Sequence, residues 1–524
     1  MRRRGFLAAA STLALPSLVR AEPSRVLRFI PQSDVTVLDP ICTTAYVTRN
    51  HGYLVFDTLF GQDAAYKPTL QMLESAVTES DGTLWRLRLR EGLRFHDGTP
   101  VLARDCVASI RRWMVRDAVG SALADATDSL SAADDREIVF RLKRRFPLLP
   151  DALGKTPTLM CAVMPERLAS TDPFKPIMEM VGSGPYRFKA DERVTGARVV
   201  YERFADYRPR ADGAIEWTSG PKIAHFDRIE WNVIPDEATA AAAMQTGEAD
   251  WWEYPSIDLL PSMTANGKIR ARVADPTGNI CIARMNHLQK PFNNPAIRHA
   301  LLGAVDQADF MTAVAGTDER NWRDKVGAFC PGTPMANDAG MEVFTSKRDP
   351  DRVRREIVAA GYQGEPVVIL SATDFPFRRA LAEVGADMMR KVGLNVDLQA
   401  MDWGTLVQRR DKKAPPSEGG WSMIITNLSG VDLSSPAGHA YRTNGAKAWF
   451  GWPDSQPIEA LRQQYLEASD IATQQRICRD LQRQVWIDVP QFPVGQYFQP
   501  TAYRADLEGM VDGFAAFWNI RRVS

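Results

Sequence analysis

The side chains that could carry chemistry begin with His96-Asp97, because a carboxylate beside an imidazole can fix its tautomer for general-base work. Two adjacent residues in an extended segment point to opposite faces, however. Asp97-Gly98 also reads as a turn that supplies a left-handed position, with His96 bonded locally. The turn is the expected reading. The other histidines, at 51, 225, 287, 299 and 439, show no HExxH or comparable ligand spacing, so no metal site is expected. No GxGxxG, Walker loop or G-x-S-x-G occurs, and Gly182-Ser183-Gly184 lacks the spacing of a nucleophile elbow. The six cysteines, Cys42, Cys106, Cys161, Cys281, Cys330 and Cys478, never fall within four residues of one another, which removes CxxC redox and zinc-ribbon readings. No cofactor is implied. A secreted α/β hydrolase, the alternative reading as an enzyme, needs a nucleophile with a base at a suitable spacing, and the sequence shows none.

The element that organises these residues is Asp81 to Trp113. Trp85, Leu87 and Leu89 alternate with Arg86, Arg88 and Arg90, which is the period of a strand with one buried face. Glu91-Gly92 and Asp97-Gly98 then turn the chain. From about Ala103 the period becomes helical, with Cys106/Val107, Ile110 and Trp113/Met114 on one stripe.

WRLRLREGLRFHDGTPVLARDCVASIRRW resembles the signature of the bacterial extracellular solute-binding proteins of family five, the peptide and nickel receptors of ABC importers. VLDP at Val37 to Pro40, GSGPYRF at Gly182 to Phe188, NNPAIRHALLGAVD at Asn293 to Asp306 and DPDRVRREIVAAGY at Asp349 to Tyr362 match in the same order. The resemblance covers nearly all of the chain after its N-terminal segment. It implies a periplasmic receptor that takes up a small solute or peptide, delivers it to the permease subunits of an ABC importer, and works as a monomer. The VLDP turn borders the ligand cleft in that family.

The length of 524 residues allows two or three domains, and 24% charged with 45% hydrophobic residues is ordinary soluble globular composition. Lysine plus arginine and aspartate plus glutamate are both 64, so no basic excess favours nucleic acid. Arg2-Arg3-Arg4 precede an apolar run from Phe6 to Val19, and Val19-Arg20-Ala21 offers a signal-peptidase site. Residues 1–21 are therefore expected to be a cleaved export signal. Arg3-Arg4-Gly5-Phe6-Leu7 resembles the twin-arginine pattern. Removing this segment leaves 60 basic against 64 acidic residues, a charge of −4.

Strands alternating with helices predict parallel pairing and an α/β fold. The resemblance implies the type II two-lobed clamshell of periplasmic binding proteins, with an extra small domain (cluster C). The expected division is 22–67 with 182–276 and 492–524 for lobe I, 68–181 for the small domain, and 277–491 for lobe II. The chain is expected to cross between lobes near Pro276 to Cys281 and again near Pro490 to Val494. The strands Phe492 to Phe498 and Ala515 to Ile520 are expected to return to lobe I, and one helix is expected over Pro457 to Trp486. Helix starts are expected at Asp236, at Asn294 with Pro295 and at Asp349 with Pro350, with stops at Gly247, Gly361 and Gly393.

Strand ends that face the cleft in the family nominate Tyr46, Trp403, Asn427, Ser429, Asp432 and Tyr497 as ligand contacts. Peptide-binding relatives hold the ligand's ammonium with an aspartate after the strand matching Met423 to Thr426. The ungapped match puts Ser429 at that anchor and Asp432 three residues beyond. Dipeptide binders add an arginine at a position that falls on or near Ala372, where there is none. The resemblance thus implies weak binding of free dipeptides and a preference for longer peptides or modified, partly apolar solutes.

Overall fold

The computed structural model describes residues 25–523. The expected signal segment lies outside the described residues. Two mixed sheets form the lobes. The first runs in the order Ile269–Val273, Pro500–Arg504, Trp251–Trp252, Val26–Ile30, Arg228–Asn232, Arg198–Arg203 and Tyr186–Phe188. Val26–Ile30 pairs in parallel with both of its neighbours. Phe29, fully buried, packs edge-on against Trp251 and Phe517 and beside Trp231, an aromatic centre for this lobe.

The second sheet runs Trp322–Arg323, Gln491–Tyr497, Asn279–Met285, Met423–Ser429, Pro366–Ala372 and Asn395–Met401. Pro366–Ala372 pairs in parallel with Asn395–Met401 and Met423–Ser429, as the strand–helix alternation there predicts. The three central strands are buried along their whole length.

The organising unit forms the small domain's antiparallel sheet, Leu73–Glu79, Leu84–Leu89, Glu137–Leu142 and Thr127–Ala132, with the helix Ala103–Arg116 packed on it. Cys106, Ile110 and Trp113 turn inward, as their stripe predicts. Arg86 and Arg88 face outward and pair with Glu79, Glu137 and Asp134. His96 is part of a joint between regions. Its backbone N–H donates to the Gly182 carbonyl at 2.8 Å, its Nδ1 accepts from the Gly182 N–H at 3.4 Å, and its Nε2–H donates to the Gly184 carbonyl at 3.0 Å. Asp97 faces away and accepts from the Thr99 N–H and hydroxyl at 3.0 and 2.6 Å, so the pair is a turn. Burial pushes the His96 imidazole down to about 4, which leaves it neutral at pH 7.

The VLDP turn acts as a second staple. Asp39 is fully buried and receives the Arg112 guanidinium at 2.7 Å and the Ile177 N–H at 2.9 Å, tying the first lobe to the small domain's helix.

Helix boundaries follow their local signals. Asp236, Asn294 and Asp349 accept N-terminal N–H groups of their helices, and Gly247 adopts the left-handed conformation at φ 83°. Three expectations are corrected. The strand Gln491–Tyr497 joins the second sheet, between Trp322–Arg323 and Asn279–Met285, so the chain returns to the first lobe only at Phe498-Gln499. The segment Ala515 to Ile520 is not a strand. It lies irregularly across the first lobe with Phe517 and Trp518 buried, since aromatic packing can hold a segment that no ladder pairs. The helix expected over Pro457 to Trp486 is two, Gln456–Glu467 and Ile471–Asp488. Asp470 breaks the run by accepting the Thr473 N–H as an N-cap.

All six cysteines are unpaired; five are buried and Cys42 is partly buried.

Candidate interlobe binding site

The chain passes between the lobes at 274–278 and at 498–499, and the candidate residues gather beside these crossings. The fully buried strand Met423–Ser429 ends in a tight turn, Gly430–Leu433, that carries Asp432. Gly430 is required there, since a Cβ would stand 2.1 Å from the Thr277 carbonyl oxygen. From the other lobe, Tyr46 opens the helix Tyr46–Val55 and aims its hydroxyl at this turn. It donates to Asp432 Oδ2 at 2.6 Å and accepts the Ser429 N–H at 2.6 Å. One hydroxyl thus spans the lobes. Burial raises the Asp432 carboxyl above the usual carboxylate range, while the Tyr46 hydrogen bond opposes that shift.

Asp275, in the first crossing, accepts from the Thr277 N–H and hydroxyl at 2.9 and 2.6 Å and from Ser429 Oγ at 3.2 Å. Asn427 donates to Asn279 Oδ1 at 2.8 Å, and its own oxygen accepts from Arg378 Nε and Nη2 at 3.3 and 3.2 Å. The Arg378 guanidinium lies 3.8 Å over Trp403, 4.3 Å from Phe375 and 4.9 Å from Phe377, a cation boxed by aromatic rings. Burial lowers it to about 10, so it stays charged at pH 7. Tyr497 packs on Phe377 with ring centres 5.7 Å apart, and its buried hydroxyl has no hydrogen-bond partner among the described residues. Trp403 is the first residue of the helix Trp403–Arg410, capped by Asp402.

Two cavities flank this contact, Asp432 lining one and Tyr46 the other. One of about 370 Å³ lies between the small domain and the second lobe, with Lys155, Asp151, Asp432, His439 and Tyr465 among apolar walls. The other, about 40 Å³, lies at the chain crossings and is lined by Tyr46, Arg49, Glu253, Tyr254, Asp275 and Ser429. The Tyr46–Asp432 hydrogen bond stands between them.

Tyr46, Ser429 and Asp432 are therefore in mutual contact. Asn427 and Trp403 are linked through Arg378, and Tyr497 joins through Phe377. Sequence reasoning missed Arg49, Glu253, Asp275 and Arg378. Nothing marks the first two. Asp275-Pro276-Thr277-Gly278 at a lobe crossing and the Phe375-Pro376-Phe377-Arg378 run were usable signals. Ala372 is buried within its strand and no guanidinium comes from there. Cationic groups reach the site from the helices that begin at Tyr46 and Pro376 instead.

Residues 67–448 match the family of bacterial extracellular solute-binding proteins, family 5. The chain belongs to that family. A probable peptide ABC transporter periplasmic-binding protein, y4tO, of Sinorhizobium fredii is 34% identical over 524 residues, covering 98% of each chain. The glutathione-binding protein GsiB of Pectobacterium atrosepticum is 27% identical over 510 residues, covering 94% of this chain and 92% of its own. Among solved structures, the binding protein AgaA in complex with agropinic acid, from A. tumefacien R10, superposes with a TM-score of 0.81 at 19% identity, covering 95% of this chain and 99% of its own. The fold is that of the type II periplasmic binding proteins. The family is one of binding proteins rather than enzymes, and the rival hydrolase finds no support.

Proposed function

We propose that this family-5 receptor works in the periplasm as a monomer, closing its lobes on a peptide or peptide-like organic solute and delivering it to the permease of an ABC importer. Export through residues 1–21 by the twin-arginine route belongs to the same reading. Among the described residues no helix is long and apolar enough to cross a membrane, which is compatible with a freely diffusing receptor. The relatives named above, one a probable peptide receptor, one binding glutathione and one holding agropinic acid, support a ligand of this chemical class.

The observation that carries the reading is the Tyr46–Asp432 hydrogen bond with its second arm to Ser429, made between lobes beside both crossings. A ligand that touches both sides has a higher affinity for the closed form than for the open one, and that difference drives closure. Tyr46, Asn427, Ser429, Asp432, Tyr497 and Trp403 are proposed as ligand contacts. Asp432 offers a buried carboxyl for a cationic nitrogen, and the 370 Å³ chamber accepts the body of the solute. The test is a thermal-shift panel of dipeptides, oligopeptides, glutathione, opines, nickel complexes and glycosides on the wild type and on Asp432→Asn. A ligand at 100 times its Kd stabilises the fold by about 2.7 kcal/mol. A peptide or opine should give the largest shift, and Asp432→Asn should reduce it. A largest shift from nickel complexes or glycosides would overturn the ligand class, and an unchanged Asp432→Asn response would remove Asp432 from the site.

A further inference from the structure

The cavity of about 40 Å³ at the chain crossings is walled by opposite charges that do not meet. Arg49 is only 5% exposed. Its guanidinium stacks 4.4 Å from the Phe514 ring and 4.9 Å from the Tyr46 ring. Its hydrogen bonds go to one neutral acceptor, Asn50 Oδ1, from Nε and Nη2 at 3.3 Å each, and among the described residues no carboxylate pairs with it. The same Asn50 donates from Nδ2 to Glu253 Oε1 at 2.7 Å. A single amide thus holds a buried guanidinium and a buried carboxyl one side chain apart instead of letting them pair.

Neutral donors satisfy the acids as well. Glu253 takes the Gln32 N–H at 2.9 Å and Gln32 Nε2 at 3.1 Å, and Asp275 takes Thr277 and Ser429. Burial raises both carboxyls above their usual range, with Arg49 among the groups that draw them back, which places its positive charge near each. Buried charges kept from pairing are costly, and an arrangement of this kind is stabilised by a partner that carries both signs. The cavity's volume of about 40 Å³ has room for about three water-sized groups.

We propose that this cavity receives the α-amino-acid head of the ligand, its carboxylate on the Arg49 guanidinium and its ammonium between Glu253 and Asp275, with the remainder of the molecule passing Tyr46 into the larger chamber. The assignment rests on the interlobe reading above. It adds a requirement that the reading lacks: a free α-ammonium and a free α-carboxylate on one carbon. In a peptide of two or more residues those two groups sit on opposite ends. The expected ligand is an amino-acid conjugate, linked through its side chain so that its head remains free.

The probes are matched triplets of γ-glutamyl dipeptides and side-chain-acylated lysines, each as the free head, the Nα-acetyl form and the α-carboxamide. Binding is read by thermal shift and calorimetry on the wild type, Arg49→Met, Arg49→Lys and Ala152→Trp, the last narrowing the larger chamber. At least one free-head compound should bind, with both blocked forms roughly 100-fold weaker. Arg49→Met, which keeps the stacking length, should abolish binding of that compound, and Arg49→Lys should restore part of it, while circular dichroism shows each variant folded. Equal binding of blocked and free forms, no shift from any triplet, or an Arg49→Met variant that binds normally would each overturn the head-group assignment. If a blocked form binds the wild type and Ala152→Trp abolishes that binding, the interlobe reading survives without the head group; if Ala152→Trp leaves every response unchanged, the chamber reading itself falls.

Discussion

Buried charges are treated in opposite ways at the joint between the first lobe and the small domain and in the cleft. Between the first lobe and the small domain, Asp39 and Arg112 are 0% and 2% exposed and bond at 2.7 Å; the Thr171 and Lys175 carbonyls take further guanidinium N–H groups. Lys222 and Asp57 form a second such pair at 2.7 Å, with the Tyr207 hydroxyl on the same carboxylate at 2.9 Å. In the cleft, Arg49, Glu253, Asp275 and Asp432 are all bonded to neutral groups. A paired buried ion resists separation, and an unpaired one gains from whatever completes it. That joint pairs its buried charges with one another, and the cleft leaves its own to neutral partners, which the proposed ligand head would complete.

The largest effect expected from breaking this contrast is at the joint. Arg112→Met leaves Asp39 buried without its counter-ion and should lower stability by about 3–5 kcal/mol in chemical denaturation. Ligand affinity of the folded fraction should be retained, because Arg112 lies outside both cavities. A loss below about 1 kcal/mol would place this pair with ordinary surface bridges. Arg49→Met in the cleft should change apo stability far less, since no ionic partner is stranded.

Next comes Asp151, in the wall of the larger chamber, whose carboxyl burial pushes up to about 6. Because the folded pKa lies above the unfolded one, the native state holds the extra proton between about pH 4 and 6. Stability should therefore fall as pH rises through that window and level off above it. The full shift of roughly two units corresponds to about 3 kcal/mol as an upper bound. Asp151→Asn should flatten that slope and stabilise the protein at pH 7, as read by melting temperature against pH. An unchanged slope would mean that the chamber wall is better solvated than its burial implies.

The smallest effect sharpens the contrast at the junction itself. Tyr46→Phe removes the hydroxyl shared by Asp432 and Ser429 and should weaken lobe closure by about 1–2 kcal/mol. Small-angle scattering with a saturating ligand should then show a larger radius than for the wild type at the same saturation. An unchanged radius would confine this hydrogen bond to a local role.

Much of the architecture is legible locally. Asn294-Pro295 and Asp349-Pro350 start helices, Gly247 ends one, and the Trp85 to Trp113 strand–turn–helix unit folds as its periodicity indicates, because caps, turns and side-chain period act over a few residues. Tyr46, Ser429 and Asp432 were reachable through the order of family motifs. The sheet that Gln491–Tyr497 joins was not, since a strand buried on both faces reads the same in either lobe and only its pairing with Asn279–Met285 distinguishes them. Nor was the charge arrangement of the cleft. Arg49 and Asn50 come from the first helix, Glu253 follows the strand Trp251–Trp252, and Asp275 lies in a crossing more than two hundred residues from Arg49. Caps, turns and side-chain period in the sequence by itself determine most of the elements, though not the break at Asp470 or the irregular run Ala515 to Ile520; tertiary structure alone decides which charged groups face one another across a cavity and remain unpaired, because that separation depends on long-range packing that no local propensity encodes.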